Sequence, residues 1–142
     1  TRETFSKIIL HSQTVLTPHP GEAAEMLATT VKEIQKNRIK SAKELQKKYG
    51  CIIVLKGSGT IICNKNDAYL CSSGGPELAV AGSGDVLSGV IGSLIAQGLA
   101  PIDAAITGVG IHARAGEEFA KDVGKIGLAA GELIPYIRKF LN

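Results

Sequence analysis

Gly82-Ser83-Gly84-Asp85 is the segment of this 142-residue chain whose residue types most directly suggest chemistry. Two glycines at the start of a helix let backbone N–H groups turn outward with no Cβ in the way. With the helix dipole they make an anion hole for a phosphate or a developing oxyanion. Asp85 then stands at its mouth, where a carboxylate can take a proton from a hydroxyl beside a phosphate. The plainer reading is a helix start softened by glycine, with Asp85 stabilising the first turn. Lys56-Gly57-Ser58-Gly59-Thr60 is a second candidate, because it follows the apolar run Cys51–Leu55. Ligands of open α/β sheets bind at the carboxyl ends of strands, so a lysine and two glycines there can receive a nucleotide phosphate or ribose. A simple β-turn with Lys56 in solvent is the alternative. Thr17-Pro18-His19-Pro20-Gly21-Glu22 also follows a strand-like run; its prolines hold the His19 backbone rigid. His11 and His112 lack such surroundings and read as structural.

The elements that must position these residues alternate. Thr14–Thr17 is a short β-rich run stopped by Pro18-His19-Pro20-Gly21, and Glu22–Leu27 starts a helix with acidic residues in its first turn. A second helix is expected over Ile39–Tyr49, ending at Gly50, a residue suited to a C-cap. Cys51–Leu55 has no polar alternation and suits a strand buried on both faces of a parallel sheet. Thr60–Cys63 and Ala68–Cys71 read as a strand pair around Asn64–Asp67. From the glycine turn at 82–85 a long helix runs to about Gln97. One of its sides is apolar (Val86, Val90, Leu94) and another carries small residues (Gly89, Gly92, Ser93). Two more helices follow, over about Ile102–Ala120 and Leu128–Leu141, and Thr1–Leu10 is helix-like. Strands alternating with helices, then a helical tail, indicate one α/β domain with a mostly parallel sheet.

Composition narrows the function classes. A chain that is 44% hydrophobic and 20% charged is not intrinsically disordered. Six Phe and Tyr residues and no Trp give little material for stacking bases, and a net charge of +3 does not argue for nucleic acid. The positive charge concentrates between Lys32 and Lys48, seven basic residues against two acidic ones, and reads as a solvated helix face. Cys51, Cys63 and Cys71 are odd in number and lack C-x-x-C spacing, so buried, reduced thiols in the cytoplasm are expected rather than zinc or disulfides. Three histidines without ligand spacing make no transition-metal site. No G-x-x-x-x-G-K-[ST] is present and no G-x-G-x-x-G follows a strand. The longest uncharged run, 86–102, is broken by Gly98 and Pro101 and reads as no membrane span.

Taken in order, T-P-H-P-G-E, V-L-K-G-S-G-T and A-G-S-G-D-V-L-S-G with I-A-Q-G behind it, the chain resembles the C-terminal part of a nucleotide-dependent NAD(P)H-hydrate dehydratase. That family belongs to the ribokinase-like superfamily. The resemblance implies a three-layer α/β/α fold and a metabolite-repair activity: removal of water from the S epimer of hydrated NADH or NADPH, with ADP, or ATP, as co-substrate and Mg²⁺ on its phosphates. It implies that His19 and Asp85 contact the hydrated nucleotide, with Asp85 as base. It implies that Lys56, Gly57, Ser58, Gly59, Thr60 and Gly84 line the nucleotide site, with Gly82, Ser83 and Gly84 as the anion hole. Glu22 would reach Mg²⁺ only through water. Homo-oligomers and a companion epimerase, sometimes on the same polypeptide, come with the same resemblance.

Two departures stand out. Gly75-Pro76-Glu77 lies where the family often has Asn-Pro-Gly or Asn-Pro-Ala. The family's fold also begins with further βα units, so the 142 residues are expected to be one incomplete domain, a fragment or one of two chains sharing a site. Small-molecule kinases of the same superfamily, acting on a sugar, pyridoxal or a thiamin precursor, use the same turn and Asp base. They typically carry Asn where His19 stands. A nucleotide-binding remnant without turnover is the remaining alternative.

Overall fold

The computed structural model describes residues 10–142. The helix expected over Thr1–Leu10 lies outside them except for Leu10, which packs on the first core. The described residues gather into two compact units, those up to 57 with 61–70, and residues 58–60 with 71–142.

The first unit holds the sheet. Strand β1 (Val15–Leu16) is followed by helices α1 (Pro20–Leu27), α2 (Val31–Lys36) and α3 (Arg38–Tyr49), then by β2 (Ile52–Leu55), β3 (Thr60–Cys63) and β4 (Ala68–Cys71). Spatial order equals chain order, β1-β2-β3-β4. β1 and β2 pair in parallel, Val15 opposite Ile52, because the three intervening helices supply the long crossover that parallel strands need. β2 and β3 pair antiparallel, Ile53 opposite Cys63, because only Lys56–Gly59 joins them. The stretch of sheet in this chain is therefore mixed, with one parallel pair where mostly parallel pairing was expected. Every residue of β2 is buried.

Side-chain chemistry sets the element ends. Asn37 caps α3 by accepting the Lys40 N–H at 3.1 Å, which starts the helix one residue before the expected Ile39. Gly50 ends it in the left-handed region, φ +66°, its N–H on Gln46 O at 2.7 Å. Asn64 closes the β3–β4 turn by accepting the Asn66 and Asp67 N–H groups. Helix α2 was not foreseen: its six residues are too few to show a period, and Thr30 caps it by accepting the Glu33 N–H. Ile34, Ala42, Leu45, Cys51, Ile53, Leu55, Ile61 and Cys63 form the core of this unit. Cys51 and Cys63 are buried and free as expected, whereas Cys71 is only half-buried, at the end of a β4 that is largely exposed.

The second unit is helical: a single 3₁₀ turn over Pro76–Leu78, α4 (Ser83–Ala96), α5 (Pro101–Asp122), another 3₁₀ turn over Ala130–Glu132, and α6 (Leu133–Leu141). Small residues bring α4 and α5 close. A Cβ on Gly108 would stand 2.8 Å from Ile91 Cγ1, and one on Gly116 would stand 2.6 Å from Leu78 Cδ2. Ala115, Phe119, Leu128, Leu133 and Ile137 form its core, with Tyr136 edge-on to Phe119.

Candidate functional site

Within the first unit, two candidate loops meet at the carboxyl ends of β1 and β2. The Lys56 N–H donates to Pro18 O at 2.9 Å, continuing the parallel ladder one step past the strands. His19 and Lys56 thus leave adjacent strands at the same sheet end, where the sequence placed a ligand.

His19 is more than a residue between two prolines. It is the N-cap of α1: its Nδ1 accepts the N–H groups of Gly21 at 3.0 Å and Glu22 at 3.1 Å. Glu22 answers by accepting the His19 N–H on Oε2 at 2.8 Å, which completes a capping box. With Nδ1 an acceptor, the neutral ring carries its proton on Nε2, which lies 3.6 Å from Glu22 Oε1; both side chains are about half exposed. The cap therefore fixes the ring through Nδ1 and leaves Nε2–H, on a half-exposed side chain, as its donor. The Glu22 carboxylate is occupied with that cap. Among the described residues, no group of three His, Cys, Asp or Glu could hold a metal.

Lys56-Gly57 is held by a residue of the basic stretch between Lys32 and Lys48. Arg38, the first residue of α3, donates from Nη2 to Leu55 O and to Lys56 O, both at 3.2 Å, and from Nη1 to Gln35 Oε1 at 2.9 Å. Its partners lie 17 and 18 positions along the chain, so no local periodicity could reveal it. Burial lowers its pKa from the ordinary value of a guanidinium. Gly57 has φ +137°, a backbone region that L side chains rarely adopt.

In the second unit, Gly82 sits at the N-cap of α4 with φ +83° and offers no side-chain cap. The Ser83 N–H turns back to Val80 O, and the Asp85 and Val86 N–H groups reach Gly82 O. The Gly84 N–H takes no such partner among the described residues, and Asp85 is exposed in the first turn. A helix N-terminus so arranged favours an anion.

His112 on α5 fixes this turn. Its Nε2 lies 3.0 Å from Ser83 O and 3.2 Å from Ser83 Oγ, with both residues buried. A carbonyl only accepts, so Nε2 is the protonated nitrogen and donates to Ser83 O. His112, read from the sequence as structural, is buried and holds the backbone of this turn. Two carboxylates secure the preceding loop: Glu117 accepts the Gly74 N–H and Glu77 the Gly75 N–H, each at 2.8 Å. Glu77 is buried, so the residue that departs from the family pattern serves as a loop clamp.

A family model for NAD(P)H-hydrate dehydratase matches residues 3–139. The bifunctional NAD(P)H-hydrate repair enzyme of Coxiella burnetii is 44% identical over 129 residues, 90% of this chain and 26% of that protein. The ADP-dependent (S)-NAD(P)H-hydrate dehydratase of Neisseria meningitidis is 42% identical over 130 residues, 90% of this chain and 44% of that one. A crystal structure of the ADP/ATP-dependent NAD(P)H-hydrate dehydratase of Bacillus subtilis, co-crystallised with ATP and Mg²⁺, superimposes with a TM-score of 0.86 at 34% identity. It covers 89% of this chain and 47% of that one. The fold is the ribokinase-like α/β fold. The chain thus spans from a quarter to about half of the length of these relatives.

Proposed function

This chain belongs to the NAD(P)H-hydrate dehydratase family, and we propose that it takes part in the nucleotide-dependent dehydration of the S epimer of hydrated NADH or NADPH, a metabolite-repair reaction. The observation that carries the reading is the pairing of the Thr17–Glu22 loop with the Lys56–Gly57 turn through the Lys56–Pro18 hydrogen bond. That bond brings a fixed His19 donor beside a lysine- and glycine-rich turn. A kinase reading rests on the Gly82–Asp85 turn alone and finds nothing comparable in the His19 cap.

In this reading the co-substrate is the Mg²⁺ complex of ADP, the nucleotide in the name of the Neisseria relative, or of ATP. Mg²⁺ arrives on the phosphates and lowers their charge, so a protein cage of three ligands is not required. Lys56, Gly57, Ser58, Gly59 and Thr60 receive the nucleotide, and Lys56 offers its charge to the phosphates. Glu22, already bonded to His19, meets the metal only through water. His19 donates from Nε2 to the hydrated substrate. Asp85 takes the proton from the substrate hydroxyl, whose oxygen attacks the terminal phosphorus, and the bond to the bridging oxygen breaks. Gly82, Ser83 and Gly84 provide the anion hole, with the Gly84 N–H stabilising the oxygens that gain charge. The phosphorylated oxygen then leaves as inorganic phosphate while a ring proton is lost, and the dihydropyridine double bond re-forms.

The 142 residues belong in this reading to one ribokinase-like domain, of which they span a part, in a homo-oligomeric assembly. The three free thiols fit the reducing cytoplasm. Among the described residues no helix is long and apolar enough to cross a membrane.

The test follows the reduced-nicotinamide absorbance with hydrated NADH, Mg²⁺ and either ADP, ATP or no nucleotide, with and without the remaining half of a family member. Recovery that needs nucleotide and falls at least about 10³-fold in Asp85→Asn is expected. Silence in every combination would remove the dehydratase reading.

A further inference from the structure

We propose that Arg38 is a positioning residue for nucleotide binding: its guanidinium sets the orientation of the Leu55–Gly57 peptide planes that present Lys56 and the turn behind it. The inference rests on the reading of Lys56–Thr60 as the nucleotide site.

Three observations converge on it. First, both Nη2 bonds go to consecutive backbone carbonyls, Leu55 O and Lys56 O, at the point where β2 ends. Carbonyl and N–H of a trans peptide point in opposite directions. Drawing these two carbonyls toward Arg38 therefore turns the Lys56 and Gly57 N–H groups away from it. The Lys56 N–H is found where this predicts, on Pro18 O. Second, the guanidinium packs close against Gly57. A Cβ on Gly57 would stand 2.8 Å from Nη1 and 3.1 Å from Nη2, so glycine at this place allows the arginine its approach. Third, the guanidinium is itself held. Nη1 donates to Gln35 Oε1, and Asn37 caps the helix that Arg38 begins. One planar group with several fixed donors can hold two carbonyls and a glutamine together. A lysine ammonium has one nitrogen on a flexible stem and does not reproduce that fork.

The consequence is specific. A strand end can be tied down in many ways, and a tie that served stability alone would leave ligand affinity untouched in a folded variant. A residue that aims the Lys56 and Gly57 peptides governs affinity for the nucleotide and spares affinity for the hydrated substrate.

Binding of MgADP and MgATP is measured by calorimetry for the wild-type protein, Arg38→Lys and Arg38→Ala, each shown folded by circular dichroism at the assay temperature. Both variants are expected to bind nucleotide about tenfold more weakly. A few millimolar guanidinium should restore much of the Arg38→Ala loss, and equal urea should not. KM for the hydrate is expected to stay within about twofold of wild type. Should the arginine variants fail to fold, Gln35→Ala serves instead, because it frees the guanidinium from an exposed partner; about threefold weaker nucleotide binding is expected. Wild-type affinity in a folded Arg38 variant, or in Gln35→Ala where that variant is used, would overturn the role of Arg38 and leave the nucleotide site standing. Absence of nucleotide binding by the wild-type protein would overturn both.

Discussion

At the residue scale, buried polar groups fix the loops that chemistry would use, and removing one exposes what it held. His112→Ala leaves the Ser83 hydroxyl and carbonyl without their buried partner, at a cost of about 1–3 kcal/mol. Denaturant titration is expected to show that loss. The thiols form a contrasting set. Burial pushes the Cys51 thiol up to about 11 from 9.0 and raises Cys63 as well. Near pH ~8 a thiol reagent should modify half-buried Cys71 first and leave Cys51 and Cys63 until unfolding. Since the folded Cys51 keeps its proton beyond the unfolded value, its contribution to stability is complete below pH 9.0 and declines as pH rises toward about 11. Stability curves across that window should flatten in Cys51→Ala. Asp85, Lys56 and His19 stand out in the sequence as candidates because their neighbours are prolines and glycines, which announce special backbone. Arg38, His112 and Glu117 carry no such mark, because each acts on backbone far away in sequence.

At the element scale, helix ends and helix contacts were set by single residues. α1 closes on Ala28, a non-glycine residue at φ +53°, and α3 closes on Gly50 at φ +66°. Ala28→Gly should therefore stabilise the protein and Gly50→Ala destabilise it, each by about 1 kcal/mol, as read from thermal unfolding. The space around Gly50 is open, so strain alone decides that case. Gly116→Ala is different in kind: its Cβ would meet Leu78 at 2.6 Å, and overpacking of about 1–3 kcal/mol is expected. The long helices α4 and α5 were readable from their sequence to within two residues because their apolar and small-residue sides recur over many turns. α2 and the two 3₁₀ turns were too short to show a period. The antiparallel β2–β3 pair was implicit in a four-residue connection, whereas an apolar run such as Cys51–Leu55 looks the same in either kind of sheet.

At the scale of the whole molecule, each of the two units holds candidate residues of the proposed reaction: a sheet end carrying His19 and Lys56 in one, and a helix start carrying Gly84 and Asp85 in the other. The ordered motifs made the family visible in the sequence, since they join rigid loops to strand ends in a fixed order along the chain. The division into two units was not visible, because no linker or change of composition marks it. The central claim is that a phosphorylated hydrate forms and then eliminates. It is tested most directly by ³¹P NMR together with nucleotide chromatography on a reaction of hydrated NADH with MgADP and the protein, supplemented with the remaining half of a family member. AMP, inorganic phosphate and NADH are expected in equal amounts. AMP formed alongside a stable phosphorylated product, with no NADH recovered, would contradict dehydration and assign the site to a kinase.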